Sequence, residues 1–119
     1  MKVSELQGAM LDLWVAKAEE LNAYAHGDYC FLRADSRDWI GNASGKYSPS
    51  TDWSQGGPII EREGISLLLV IDSREHIGTL MYAAFSQDNH DKQFRHKSAL
   101  IAAMRCYVGS KFGEEVEDE

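Results

Sequence analysis

Cysteine is scarce in this sequence, and its scarcity excludes a whole class of folds. Cys30 and Cys106 stand far apart in 119 residues, too few and too separated for the disulfide framework that holds small secreted domains together. Both are expected as reduced, buried thiols. Long apolar runs are missing as well. The run at residues 67–71 falls far short of the roughly 20 residues that span a bilayer, and the N-terminus lacks the basic start and apolar stretch of a signal peptide. A cytosolic protein without membrane association is expected. The four histidines, His26, His76, His90 and His96, show no ligand spacing. A grouping of His90, Asp91 and His96 lacks the third ligand and supporting shell that zinc requires, so no metal and no other cofactor is expected.

What is present is enough apolar matter for one core. At 44% hydrophobic content over 119 residues, a single compact domain is expected, spanning residues 1–113. The formal net charge is −7, with 19 acids against 12 bases. Five of those acids, Glu114, Glu115, Glu117, Asp118 and Glu119, crowd the end, leaving the body at only about −2. Residues 114–119 are expected to form an acidic, disordered tail that serves solubility.

Ser4 and Gln7 match a capping box, and Leu6, Met10, Leu13, Trp14, Ala18 and Leu21 recur at helical spacing, with Asp12, Lys17, Glu19 and Glu20 mostly off that stripe. A packing helix of about four to five turns follows. Residues 22–55 are broken by Gly27, Gly41, Gly45 and Pro49 and read as mostly loop with one short strand at 29–33. Strands are expected at 58–63, 65–71 and 79–85, with Gly64 as a bulge or bend. The run at 65–71 is apolar on both faces, as in a strand covered on both sides or lying at an interface, which makes a homo-oligomer the expectation. Ser98 caps a final helix and Gly113 stops it. The fold class is α+β, with N- and C-terminal helices packed on a small, mostly antiparallel sheet.

The block running Tyr47-Ser48-Pro49-Ser50-Thr51-Asp52-Trp53-Ser54-Gln55-Gly56-Gly57-Pro58-Ile59-Ile60-Glu61-Arg62-Glu63 is the richest in chemistry. Hydroxyls at Ser50 and Thr51, a carboxylate at Asp52, an indole at Trp53, an amide at Gln55 and close backbone approach at Gly56 and Gly57 are parts for holding a polar, ring-bearing ligand. The same residues also make turn and capping chemistry, with Trp53 filling the core. Tyr47, Arg62 and Arg105 complete the candidate ligand-binding set, Arg105 being the final-helix arginine with enough apolar neighbours to be half-buried and paired. On a strand, Glu61 and Glu63 share a face, which raises a metal-dependent hydrolase using them with Asp52; nothing nearby in sequence supplies a nucleophile or metal partner. No catalytic residue is assigned. Lys92, Arg95 and Lys97 precede the last helix as an exposed basic loop able to attract phosphate, and they are too few for duplex nucleic acid.

Three segments together carry a resemblance: Leu11-Asp12-Leu13-Trp14-Val15-Ala16-Lys17-Ala18-Glu19, the central block just quoted, and Ala102-Ala103-Met104-Arg105-Cys106-Tyr107-Val108 with Ser110-Lys111-Phe112-Gly113. The chain resembles the NinX family of small bacteriophage proteins over about half its residues. Where the family opens its last helix with Thr-Pro, this chain has Ser98-Ala99; where a tryptophan-bearing strand is expected, it has Met81-Tyr82-Ala83-Ala84-Phe85. The resemblance implies a phage product acting in the host bacterial cytoplasm. With the loop chemistry, it points to a non-catalytic accessory protein that binds a small nucleotide-like ligand or immune signal and withholds it from a defence pathway. The alternative is an adaptor or inhibitor that binds a host protein through the apolar strand or the acidic tail.

Overall fold

The computed structural model describes residues 1–33, 45–72, 79–87 and 89–117. Helix α1 runs Gly8–Ala18. The Ser4–Gln7 capping box does not form: residues Val3–Glu5 make a 3-10 turn, and Gln7 precedes the helix in extended conformation with no side-chain cap. Burial of Val3 and Leu6 explains this, since wrapping two apolar side chains into the core outweighs a cap worth about 1 kcal/mol. The helix ends at Glu20, whose φ of 60° is left-handed, with Leu21 N–H donating to Ala16 O at 2.8 Å and Glu20 N–H to Lys17 O at 3.1 Å. Residues 11–16 are all buried, Asp12 included. This helix is covered on more than one side, and a simple stripe understated it.

Beside α1 lies an antiparallel sheet of β1 (Ala23–His26), β2 (Tyr29–Leu32) and β3 (Lys46–Tyr47), in that order. The Gly27-Asp28 turn joins β1 and β2, and Gly27 takes φ 62°, which a two-residue hairpin loop demands. Cys30, Leu32 and Tyr47 point into the core. The expected strand at 29–33 is present; β1 and β3 lie in what read as loop. Gly41 falls outside the described residues.

Helix α2, Trp53–Glu63, replaces the strand expected at 58–63. Asp52 caps it, its Oδ1 accepting from Ser54 N–H at 2.9 Å, and Gly64 at φ 64° ends it, with Ile65 N–H donating to Ile60 O at 3.1 Å. Gly64 is thus a helix stop rather than a bulge. A second antiparallel sheet follows, β4 (Ser66–Asp72), β5 (Thr79–Ser86) and β6 (Asn89–His96), in that order. The strands expected at 65–71 and 79–85 are there, but Lys92 and Arg95 sit on β6 rather than in a loop. Lys92 reaches Glu114 at 3.2 Å and Arg95 Nη2 donates to Gln93 at 3.2 Å.

Helix α3, Ala99–Phe112, is the spine of the molecule, with residues 102–108 buried throughout. Ser98 caps it, its hydroxyl accepting from Ile101 N–H at 3.3 Å, and Gly113 at φ 89° stops it. Phe94 of β6 lies so close that a Cβ on Gly109 would come within 2.6 Å of its ring. The α+β class holds, with helices flanking two small three-stranded sheets instead of one. Of the expected tail, residues 114–117 are described and 118–119 lie outside the described residues. Met1 N donates to Val116 O at 2.7 Å, Val116 N–H to Met1 O at 2.9 Å and Val3 N–H to Glu114 O at 2.8 Å, and Val116 is buried. No helix among the described residues is long and apolar enough to cross a membrane.

Candidate functional site

The loop between β3 and α2 is built as an inward tie. Thr51 and Asp52 N–H groups turn back onto Ser48 O at 3.1 and 2.8 Å. Ser50 is buried, and its N–H donates to Asp12 Oδ1 of α1 at 2.9 Å. Gln55, also buried, accepts from Ser48 N–H through Oε1 and donates to Lys46 O at 3.3 Å. Gly56 is pressed against the chain, where a Cβ would stand 2.4 Å from Pro49 O and 2.6 Å from Leu100 Cδ2. Tyr47 is fully buried, and among the described residues its hydroxyl and that of Ser50 find no hydrogen-bond partner. Burial pushes Asp12 up to about 6 against the opposing pull of Ser50, and pushes the Cys30 thiol up to about 12. Both cysteines are free and buried, as expected.

Outside that tie, Thr51, Asp52 and Trp53 face solvent, Trp53 at 56% exposure, and Gly57 is half-buried. Arg62 stands nine residues along α2 from Trp53, about 13 Å at 1.5 Å per residue, and is already engaged. Its Nη1 and Nη2 donate to Glu19 at 3.1 and 2.6 Å and its Nε to Glu63 at 2.8 Å. Tyr107 OH also donates to Glu19, at 2.6 Å. Burial alone would raise the Glu19 carboxyl, but Arg62 and Tyr107 hold it below the ordinary glutamate range. Arg105 is buried and donates Nε–H to Leu6 O at 2.7 Å. The ten expected ligand residues therefore divide three ways: Tyr47, Ser50, Gln55 and Gly56 inward, Thr51, Asp52, Trp53 and Gly57 at the surface, and two arginines occupied elsewhere. Clefts of about 330, 370 and 380 Å³ take no wall from any of the ten.

The hydrolase alternative loses its geometry with the strand. On a helix, Glu61 and Glu63 are about 200° apart around the axis instead of sharing a face. Among the described residues, no three His, Cys, Asp or Glu side chains are grouped to hold a metal ion; His76 lies outside them.

A family model described as Bacteriophage P22, NinX matches residues 2–111. The chain belongs to this family. A search of curated proteins returns no match. Of the three NinX-like segments, the one at 11–19 holds the buried run of α1, the one at 47–63 runs from β3 through α2, and the one at 102–113 covers most of the spine α3. The central block joins them through Asp12 and Leu100, so this part of the NinX pattern marks packing.

Two exposed surfaces remain. At the outer end of the β4–β5 pair, Leu68 and Leu69 are each 53% exposed, Ile71 67% and Leu80 57%. Adjacent residues on a strand point to opposite faces, so exposure of both Leu68 and Leu69 means that this end projects beyond the helices. The second surface was not anticipated. The face of the first sheet turned away from the core carries Tyr24, His26, Tyr29, Phe31, Arg33 and Lys46, and the alternation of aromatics around Gly27-Asp28 was the signal that could have revealed it.

Proposed function

We propose that this chain is a non-catalytic phage accessory protein that works by docking a host protein onto the projecting end of β4 and β5. The observation behind this reading is that four aliphatic side chains, Leu68, Leu69, Ile71 and Leu80, stand more than half exposed there. They flank a strand that pairs only with β5 among the described residues. Completing the burial of four half-exposed aliphatics is worth roughly 1 kcal/mol each, and the open edge can add a backbone ladder to a partner strand. An edge this long, without lysine, proline or bulge to blunt it, is a liability unless something covers it. A small nucleotide-like ligand held by the loop at 47–57 is the weaker reading, because the Ser50 N–H and the Gln55 amide are engaged by Asp12, Ser48 and Lys46 and none of the three clefts is walled by that loop. A second copy is the alternative occupant of the edge: residues 66–71 carry no charge, and pairing about a two-fold axis at Leu69 sets Leu68 against Val70 and Leu67 against Ile71.

Leu69→Lys tests the docking. Affinity capture from host cells with wild type is expected to return one stoichiometric protein that the variant loses at least tenfold, with β4 amides protected from hydrogen exchange in the complex. A wild-type chain that elutes as a dimer and becomes monomeric on substitution assigns the edge to a second copy. A variant that keeps the partner and the oligomeric state overturns both.

A further inference from the structure

We propose that the outward face of the first sheet is a stacking platform for single-stranded nucleic acid. Register places the side chains. Ala23 pairs with Leu32 and Cys30 with both Ala25 and Tyr47, and the buried Cys30, Leu32 and Tyr47 define the inner face. Tyr24 opposite Phe31, His26 opposite Tyr29, and Lys46 opposite Phe31 must then point outward, and Arg33 shares the face of Phe31 by the two-residue period.

The chemistry on that face is unusual for so acidic a chain. Tyr24 and Phe31 stack with centroids 5.7 Å apart and planes 28° apart. The Arg33 guanidinium lies 5.0 Å from the Tyr24 centroid and the Lys46 ammonium 3.5 Å from that of Tyr29. Tyr24 and Tyr29 remain 40% and 48% exposed, so ring area is left for a partner. None of the six outward residues, Arg33 just past the end of β2 included, is an acid or an aliphatic. That combination differs from the β4 edge, which has aliphatics and no cation, and it matches what a single strand offers: base faces to lie on rings, and phosphates to meet the cations at their rims.

Single strands are favoured over duplex on two grounds. A duplex hides its base faces, leaving the rings nothing to stack on. Two cations and a histidine are also far fewer than a phosphate-reading surface employs. Tyr29 and Phe31 are about 7 Å apart along β2, which gives two stacking stations and a footprint of a few nucleotides. The overall charge of −7 opposes binding, but beyond about 8 Å it is screened at physiological salt. Contact with about two phosphates predicts a shallow salt dependence, a log–log slope near −1.4 at −0.7 per phosphate.

The test is fluorescence anisotropy of labelled dT12 and rU12 with the full chain at 20–200 mM salt. Saturable binding of either oligomer is expected, with a slope between −1 and −2. Removing a stacking ring is expected to weaken it about 5- to 100-fold. Tyr29→Leu and Tyr24→Leu keep an apolar strand surface while deleting the rings, and Tyr29→Phe should restore binding. Leu69→Lys, on the other sheet, should bind as wild type. A preference for rU12 over dT12, or the reverse, identifies RNA or DNA as the ligand. Absence of binding at 20 mM salt, equal affinity for a 12-base-pair duplex, or ring variants that melt and bind like wild type would each overturn the proposal.

Discussion

Asp12 sits in the buried middle of α1, where a carboxylate is costly and where Ser50 N–H, at 2.9 Å, is its hydrogen-bond partner. Its carboxyl is raised from 3.8 to about 6 by burial. Between those values the folded chain holds a proton that the unfolded chain has released, so stability falls as pH rises through the window and the whole penalty stands above about pH 6. A shift of this size is worth about 3 kcal/mol. Asp12→Asn keeps an oxygen for Ser50 and removes the charge. The variant is expected to be more stable than wild type by about 1–3 kcal/mol at pH 7 and to lose the slope between pH 4 and 6, measured by urea unfolding across a pH series. Glu19 acts in the opposite sense: its lowered pKa gives stability that is present above the ordinary glutamate range and lost as pH falls below it. The wild-type minus variant difference therefore isolates Asp12. Its burial was not legible in the sequence, because its place off the apolar stripe of α1 implied solvent and its partner is 38 residues away.

At the scale of elements, strands with an apolar face were legible and those without one were not. Residues 66–72 and 79–86 advertise themselves by branched and aromatic residues, whereas β6 turns a single aromatic, Phe94, inward and is otherwise polar. Helix α2 misled for a different reason. Gly56, Gly57 and Pro58 oppose a helix by about 1 kcal/mol per glycine and more for proline, and Ile59-Ile60 looks like a strand. The helix forms because Asp52 caps it, Gly64 stops it, and Gln55, Gly56 and Ile59 recur at helical spacing on the buried side. The candidate site was misplaced by the same block: its composition was legible, but which polar groups turn inward depends on Asp12 and Leu100. The two glycines make this testable. Gly56→Ala sets a Cβ at 2.4 Å from Pro49 O, a backbone atom that cannot step aside, and is expected to cost about 2–3 kcal/mol despite alanine's helix preference. Gly57→Ala meets only Trp53 Cε3 at 4.0 Å and should gain up to about 1 kcal/mol. Chemical unfolding of the pair checks this packing of α2, since a loop running into a strand would treat the two substitutions alike.

Over the whole molecule, the net charge of −7 is concentrated at the end, and composition alone does not say how residues 114–117 sit. The run at 114–119 looked like a solvated tail because five of its six residues are acids, and Val116 was the one dissenting signal. That valine is buried, and the main chain around it pairs with Met1 and Val3, while Glu114 also holds Lys92 of β6 at 3.2 Å. The segment closes the N-terminal turn and one edge of the second sheet onto the same core. Ending the chain after Gly113 removes a valine worth about 1.5–3 kcal/mol of burial and three main-chain hydrogen bonds worth about 1 kcal/mol or less each at partly exposed positions. It also removes five acids, which relieves self-repulsion and favours the truncated form slightly, most at low salt. The apolar and hydrogen-bond losses are the larger, so truncation is expected to destabilise by about 2–4 kcal/mol at 150 mM salt. Val116→Ser in the full chain, with every charge in place, should account for at least half of that loss. If the truncated chain melts as wild type does, residues 114–117 lie loose in solution and the acidic end is a tail after all.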